Sequence, residues 1–170
     1  MIAPSPWVER FAPLIPAAEP VLDLACGSGR HTRLLLALGH AVTAVDRDIS
    51  GLADINDDRL SRVETDLEDS GPWPLAERRF AGIVVTNYLH RPLFEPIVGA
   101  LQPSGLLIYE TFARGNERFG KPSNPAFLLE PGELLAVAAR AKLRVLAYED
   151  LEITEPKPAC IQRICAVAPA

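Results

Sequence analysis

The segment Val21-Leu22-Asp23-Leu24-Ala25-Cys26-Gly27-Ser28-Gly29-Arg30 runs from an apolar stretch through a Gly-x-Gly turn into a helical pattern. Glycines suit such a turn because the chain bends sharply and the backbone must come close to a ligand. The helix that follows offers free N–H groups and a partial positive charge. A dinucleotide uses the same arrangement, but its fingerprint wants a third glycine where this chain has Thr32. Asp23 is more telling. A carboxylate aimed into the pocket beside the turn repels a pyrophosphate and suits a ligand that carries positive charge.

Three more polar groups stand where strands are expected to end. Asp46 closes the run Ala41-Val-Thr-Ala-Val45, 17 residues past Gly29. An acid there can accept two hydrogen bonds from ribose hydroxyls, as in dinucleotide sites. Asp66 follows the alternating stretch 60–65 and offers an acceptor to an adenine amino group. Thr86-Asn87-Tyr88 ends the apolar run that starts at Phe80. In open α/β sheets ligands bind outside the carboxyl ends of the strands. Either acid alone would serve equally well as a cap of the following segment. Together with the glycine turn they point to a nucleoside bearing an ammonium and a sulfonium, and S-adenosylmethionine carries both.

The elements that must hold these groups alternate between strand and helix. Strands are expected at 20–25, 41–45, 60–65, 80–86 and 106–111. Helices are expected at 29–38, 49–56 (short), 93–101 and 133–141, the last with Pro131 near its N1 position. Pro103-Ser104-Gly105 reads as a turn. Alternation of this kind implies a mainly parallel sheet with right-handed crossovers. The last two strands, 142–150 and 160–168, have no helix between them and should pair as an antiparallel hairpin. Ser5-Pro6-Trp7-Val8-Glu9-Arg10-Phe11 reads as a short helix with Ser5 as its cap and Trp7 and Phe11 on one face.

With 170 residues, the chain fits one domain, 1–170, with 1–19 as an N-terminal capping segment. Its net charge of −5 and lack of a basic run argue against general nucleic-acid binding, which rests on phosphate neutralisation. Cys26, Cys160 and Cys165 form no CxxC pair, which fits a reduced, cytoplasmic setting rather than a disulfide framework. The histidines and cysteines lack metal-ligand spacing, so no metal is implied. The first residues show no basic n-region, and no apolar run approaches the ~20 residues that span a bilayer.

Asp23-Leu-Ala-Cys-Gly-Ser-Gly29 resembles motif I of the class I S-adenosylmethionine-dependent methyltransferases. The acid after the second strand, Asp66-Leu67 after the third and Leu101-Gln-Pro-Ser-Gly105 before the fifth are similar to that family's pattern. The glycine turn with Gly-Arg-His resembles the small stand-alone, tellurite-resistance-like type. The resemblance implies a Rossmann-like three-layer α/β sandwich, its seven strands ordered 3-2-1-4-5-7-6 with strand 7 antiparallel. It implies that Gly27 and Gly29 face the methionine moiety, Asp46 the ribose, and Asp66 with Leu67 the adenine, with Asn87 near the methyl donor. Asp23, Ala25, Cys26, Ser28, Arg47 and Thr86 complete the expected cofactor set. The fourth strand ends in Asn87-Tyr88-Leu89-His90 rather than the Asn/Asp-Pro-Pro-Tyr/Phe of amino-methylating enzymes, which argues against DNA base amines.

The long segment 112–130 leaves the fifth strand on the ligand side and is expected to form a lid. It carries Arg114 and Arg118, which with Tyr88 and Glu110 are the expected substrate contacts. His31, Tyr88 and His90 are candidate bases, since imidazole titrates near neutrality. Methyl transfer itself asks mainly for in-line alignment and exclusion of water. The expected activity is methyl transfer to a small-molecule acceptor, by a monomer or homodimer, with no nucleic acid or membrane partner. The alternatives are an NAD-dependent oxidoreductase, a non-catalytic binding module and a methyltransferase of RNA or protein.

Overall fold

A computed structural model describes residues 2–170, so Met1 lies outside the described residues. Helix α1 (Pro6–Phe11) opens the chain. The Ser5 side chain accepts from the Trp7 amide and Pro6 takes the first turn, where its missing N–H costs nothing. Then come β1 (Pro20–Leu24), α2 (Arg30–Ala37), β2 (Ala41–Asp46), β3 (Leu60–Glu64), β4 (Phe80–Thr86), α3 (Phe94–Gly99), β5 (Leu101–Phe112), α4 (Glu133–Arg140), β6 (Arg144–Ile153) and β7 (Ala159–Val167). One seven-stranded sheet results, in the order β3-β2-β1-β4-β5-β7-β6. Its first four pairings are parallel, while β7 runs antiparallel to both β5 and β6. This is the order and polarity that the family resemblance implied.

The central strands are apolar for a physical reason. β1 and β4 are covered on both faces, so they read as continuous hydrophobic runs rather than alternating ones. One face packs Trp7, Val8 and Phe11 of α1, Leu35 and Leu36 of α2, and Leu52. The other packs Ile97 of α3, Leu134 and Ala138 of α4, and Leu75 from the β3–β4 connection. Among the described residues no helix is long and apolar enough to cross a membrane.

Three local expectations need correction. Residues 49–56 hold only a single 3-10 turn, Ser50–Leu52. That turn lies so close to the glycine turn that a Cβ on Gly51 would stand 2.8 Å from the Ser28 Cα, so only glycine fits there. Pro103-Ser104-Gly105 lies inside β5, which starts at Leu101 opposite Phe80 and shifts register before Gly82. Ser104, at φ +60°, absorbs the irregularity. Helix α4 is capped by Gly132 in the left-handed region, so Pro131 precedes the cap rather than occupying the first helical position.

Candidate active site

The site is built on the carboxyl ends of β1–β5. β1 ends at Leu24, and the chain then turns through three residues with positive φ: Ala25 at +55°, Gly27 at +52° and Gly29 at +76°. Gly29 caps α2 and is fully enclosed. A Cβ there would meet Leu52 Cδ2 at 2.3 Å. Ala25 has no glycine's freedom, and holding an alanine in this region costs roughly 1 kcal/mol or more. Strain of this kind collects where a backbone serves a ligand. Arg33, one turn into α2, staples the turn from behind: its guanidinium donates to the Ser28 carbonyl at 2.7 Å and the Gly51 carbonyl at 3.2 Å. No spacing signal had singled Arg33 out.

A cavity of about 480 Å³ opens beside this turn. Asp46, Asp66, Asn87 and Tyr88, named from strand ends, line it together with Ala25, Arg47 and Leu67, which the family resemblance implied. Asp46 reaches back to hold the turn: one carboxylate oxygen accepts from the Gly27 amide at 2.8 Å, the other from the Asp48 amide at 3.1 Å. Asp66 accepts from the Glu68 amide at 2.9 Å and so orders the loop after β3. Asn87 sits at φ +53°, a conformation its short polar side chain tolerates, and lies on the solvent side of the cavity. The Tyr88 hydroxyl is buried without a hydrogen-bond partner. Burial, then the nearby Glu68, Asp66 and Asp46 carboxylates, push its pKa above the usual phenol value.

Other candidates stand elsewhere. Asp23 is 2% exposed and does not line the cavity. Its carboxylate lies beneath the turn and accepts from the Thr32 hydroxyl at 2.6 Å. Burial raises its pKa to about 7, against the pull of the Thr32 hydrogen bonds and Arg30. Cys26 is buried, its thiol pushed up to about 12 by burial and by Asp23 and Asp46, so it is no nucleophile at neutral pH. Ser28 is exposed, and Thr86 is buried behind the cavity wall.

His31 belongs to a different assembly. Its Nε2 accepts from the Ser5 amide at 3.0 Å, which places the ring proton on Nδ1, 3.3 Å from the Thr86 hydroxyl. Burial and Arg30 lower its pKa to about 4. An imidazole with both nitrogens engaged cannot also take a proton from an acceptor. His90 leads into the 3-10 turn 91–93 and is not among the lining residues.

The charged substrate candidates are paired with residues from elsewhere in the fold. The Ser5 hydroxyl donates to Glu110 at 2.6 Å, and Glu110 pairs with Arg163 at 3.0 Å. Arg163 also lies over the Trp7 ring at 4.7 Å. This network fixes α1 on the β5–β7 side of the sheet, and no α1 residue lines the cavity. Arg114 faces Glu130 at 3.5 Å, while Arg118 pairs with Glu152 at 3.1 Å and donates to Cys160 Sγ at 3.4 Å. Arg118→Ala is therefore expected to leave ligand affinity in the cavity within about twofold of wild type. Calorimetry with S-adenosylhomocysteine checks this.

The segment 112–130 does wall the cavity, but through Phe112, Pro122 and Phe127. It is pinned at both ends. Ala113 bridges Leu129, Asn116 donates to the Pro122 carbonyl, and Arg91 donates to the carbonyls of Ala126 and Leu128. Thr65, Glu68, Leu89 and Thr111 also line the cavity and were not named from sequence. For Thr65 and Thr111 the signal was present, since both stand at strand ends.

Residues 21–105, half of the chain, match the family described as methyltransferase domain. The chain belongs to that family. It is 35% identical over 103 residues to trans-aconitate 2-methyltransferase of Rhizobium meliloti (strain 1021), a match covering 53% of this chain and 37% of that protein. The chain thus spans little more than a third of that relative's length. Among solved structures it resembles TehB from Haemophilus influenzae, with a TM-score of 0.72, 19% identity, and coverage of 95% of this chain and 61% of that one. It also resembles the Burkholderia thailandensis 1,6-didemethyltoxoflavin-N1-methyltransferase, solved with 1,6-didemethyltoxoflavin and S-adenosylhomocysteine bound. There the TM-score is 0.71, the identity 20%, and the coverage 97% of this chain and 77% of that one. At these identities the structural likenesses speak to the fold.

Proposed function

We propose that this chain is an S-adenosylmethionine-dependent methyltransferase acting on a small-molecule acceptor. The carrying observation is the convergence of Asp46, Asp66 and Asn87 on one cavity beside a left-handed Gly27–Gly29 turn. The donor set fits the cofactor. Three carboxylates (Asp46, Asp66 and Glu68) line a cleft that suits a cationic nucleoside. Asp46 would hold the ribose, Asp66 and Leu67 the adenine, and the Gly27–Gly29 turn the methionine end.

When bound, S-adenosylmethionine supplies an electrophilic methyl carbon: the acceptor's lone pair forms the new bond, the C–S pair returns to sulfur, and the acceptor's proton leaves to water. The chain's own part is positional. Asn87 presents a polar group at the mouth and Thr111 lines the buried wall, while Leu89, Phe112 and Phe127 exclude water from the reacting line. His31 takes no proton in this scheme, because both its nitrogens are engaged.

The relatives' names, a trans-aconitate and a toxoflavin-type methyltransferase, support a small acceptor. The whole chain is taken as one domain, as a monomer or homodimer. The three free cysteines fit a reducing, cytoplasmic compartment, and the net charge of −5 disfavours nucleic acid. An NAD-dependent oxidoreductase is disfavoured by Thr32, whose hydroxyl holds Asp23 where a dinucleotide site wants glycine. Isothermal titration with S-adenosylhomocysteine and with NADH tests the reading. Saturation by the first alone supports it, and saturation by NADH alone overturns it.

Tyr88→Phe gives a second, smaller test. Removing this buried hydroxyl is expected to raise the melting temperature of the unliganded protein by about 1–3 °C and to leave S-adenosylhomocysteine binding within about twofold, since the hydroxyl has no surface open to a ligand. Thermal unfolding and calorimetry read the two effects separately.

A further inference from the structure

A second recess of about 460 Å³ adjoins the cavity and shares Phe112, Pro122 and Phe127 with it. Its other lining residues are Lys121, Ser123 and Asn124. Phe127 is 47% exposed and, with the half-buried Phe112, gives the recess two aromatic rings. Of the three cations in the segment 112–130, Arg114 and Arg118 are paired with Glu130 and Glu152. Lys121 makes no ion pair among the described residues. The Asn124 carbonyl oxygen is taken by the Ala126 amide, which leaves its amide nitrogen to donate outward. The recess is thus an aromatic slot with a rim of donors.

The cleft is therefore polarised. Its inner wall carries Asp46, Asp66 and Glu68, and its outer end carries Lys121. We infer that the outer recess seats a planar, unsaturated or aromatic acceptor that bears a carboxylate, with its ring against Phe112 and Phe127 and its carboxylate toward Lys121. This rests on the methyltransferase reading, which it deepens by naming the acceptor class. The carboxylate is the handle and not the nucleophile, since Lys121 lines only the outer recess and the opposite end of the acceptor faces Asn87. An acid handle placed inward would meet three carboxylates, so the same polarity sets the acceptor's direction.

The probes are benzoate, 2-naphthoate and indole-3-acetate, each beside its neutral primary amide, titrated into the full chain saturated with S-adenosylhomocysteine. At least one acid is expected to bind about fivefold tighter than its amide, with the preference shrinking as salt rises. Lys121→Met should abolish that preference while leaving affinity for the amide and for S-adenosylhomocysteine unchanged. Phe127→Ala should weaken acid and amide alike. If no acid outbinds its amide, or if Lys121→Met leaves the preference intact, the inference is overturned. If S-adenosylhomocysteine itself fails to bind, the methyltransferase reading falls instead, and the same pairs titrated into the unliganded chain still decide what the recess holds.

Discussion

Asp46→Ala is expected to weaken S-adenosylhomocysteine binding by about a hundredfold, the largest loss for any single side chain in the cleft. Two tasks end at once. The carboxylate is the acceptor for the Gly27 amide at 2.8 Å, so its loss frees the glycine turn from the end of β2. It is also the group proposed to accept from ribose hydroxyls. A hydrogen bond to a charged group is worth about 1.5–3 kcal/mol when its partner is left unpaired, and a hundredfold corresponds to about 2.8 kcal/mol. Asp46→Asn keeps an acceptor for one amide and the shape of the side chain, so a loss of about tenfold is expected. Calorimetry on both variants, with circular dichroism to confirm the fold, is the check. Near-wild-type affinity in Asp46→Ala would mean that the nucleoside sits elsewhere.

Much of this architecture was legible because strand ends are legible. Apolar runs that stop at Asp46 and Asn87, with the alternating stretch that stops at Asp66, locate the carboxyl edge of a parallel sheet, and that edge is where the cavity opens. Side-chain direction was harder. Asp23 stands on β1 with Leu22 and Leu24, and which way its carboxylate turns depends on Thr32, nine residues on. Arg114, Arg118 and Glu110 were chosen for charge, but charges compete for partners that the fold brings from far away. Glu130, Glu152 and Arg163 claimed them. Phe127 reaches the cavity only because 112–130 is tied back on itself by the Ala113–Leu129 bridge and by Arg91, and such a path leaves no periodic trace. Asp46, Asp66, Asn87 and Tyr88, read from strand ends, met in one place, whereas Asp23 and Thr86 lie outside the cavity and Glu110, Arg114 and Arg118, read from charge, dispersed.

Asp23 carries the second large expectation, and it concerns pH. Its pKa rises from 3.8 to about 7 on folding, so the native state holds a proton that the unfolded chain has given up. The stability this brings is complete below pH 4 and is lost as pH climbs toward 7. Three units set a ceiling of about 4 kcal/mol. His31 acts in the opposite sense. Its pKa falls from 6.5 to about 4, so its stabilisation is complete above pH 6.5 and is lost as pH drops toward 4. Between pH 4 and 6.5 the two slopes oppose each other, and the protein should look nearly indifferent to pH.

Asp23→Asn removes one slope and exposes the other. At pH 8 the variant is expected to melt several degrees above wild type, because about 2–4 kcal/mol of buried-charge cost is gone. Near pH 4 the advantage should vanish and the acid sensitivity of His31 should appear. The carboxylate stands where it lowers stability at neutral pH, and under the proposed function electrostatics gives it a use. A sulfonium and an ammonium bound above the turn favour the ionised form of Asp23 below it. S-adenosylmethionine binding at pH 6.5 should therefore release a fraction of a proton, more than the neutral thioether S-adenosylhomocysteine does. Titrations in two buffers of different ionisation enthalpy measure that difference, and Asp23→Asn should abolish it. Equal proton release for the two ligands would mean that Asp23 is blind to the charge on sulfur and serves only to fasten Thr32 beneath the glycine turn.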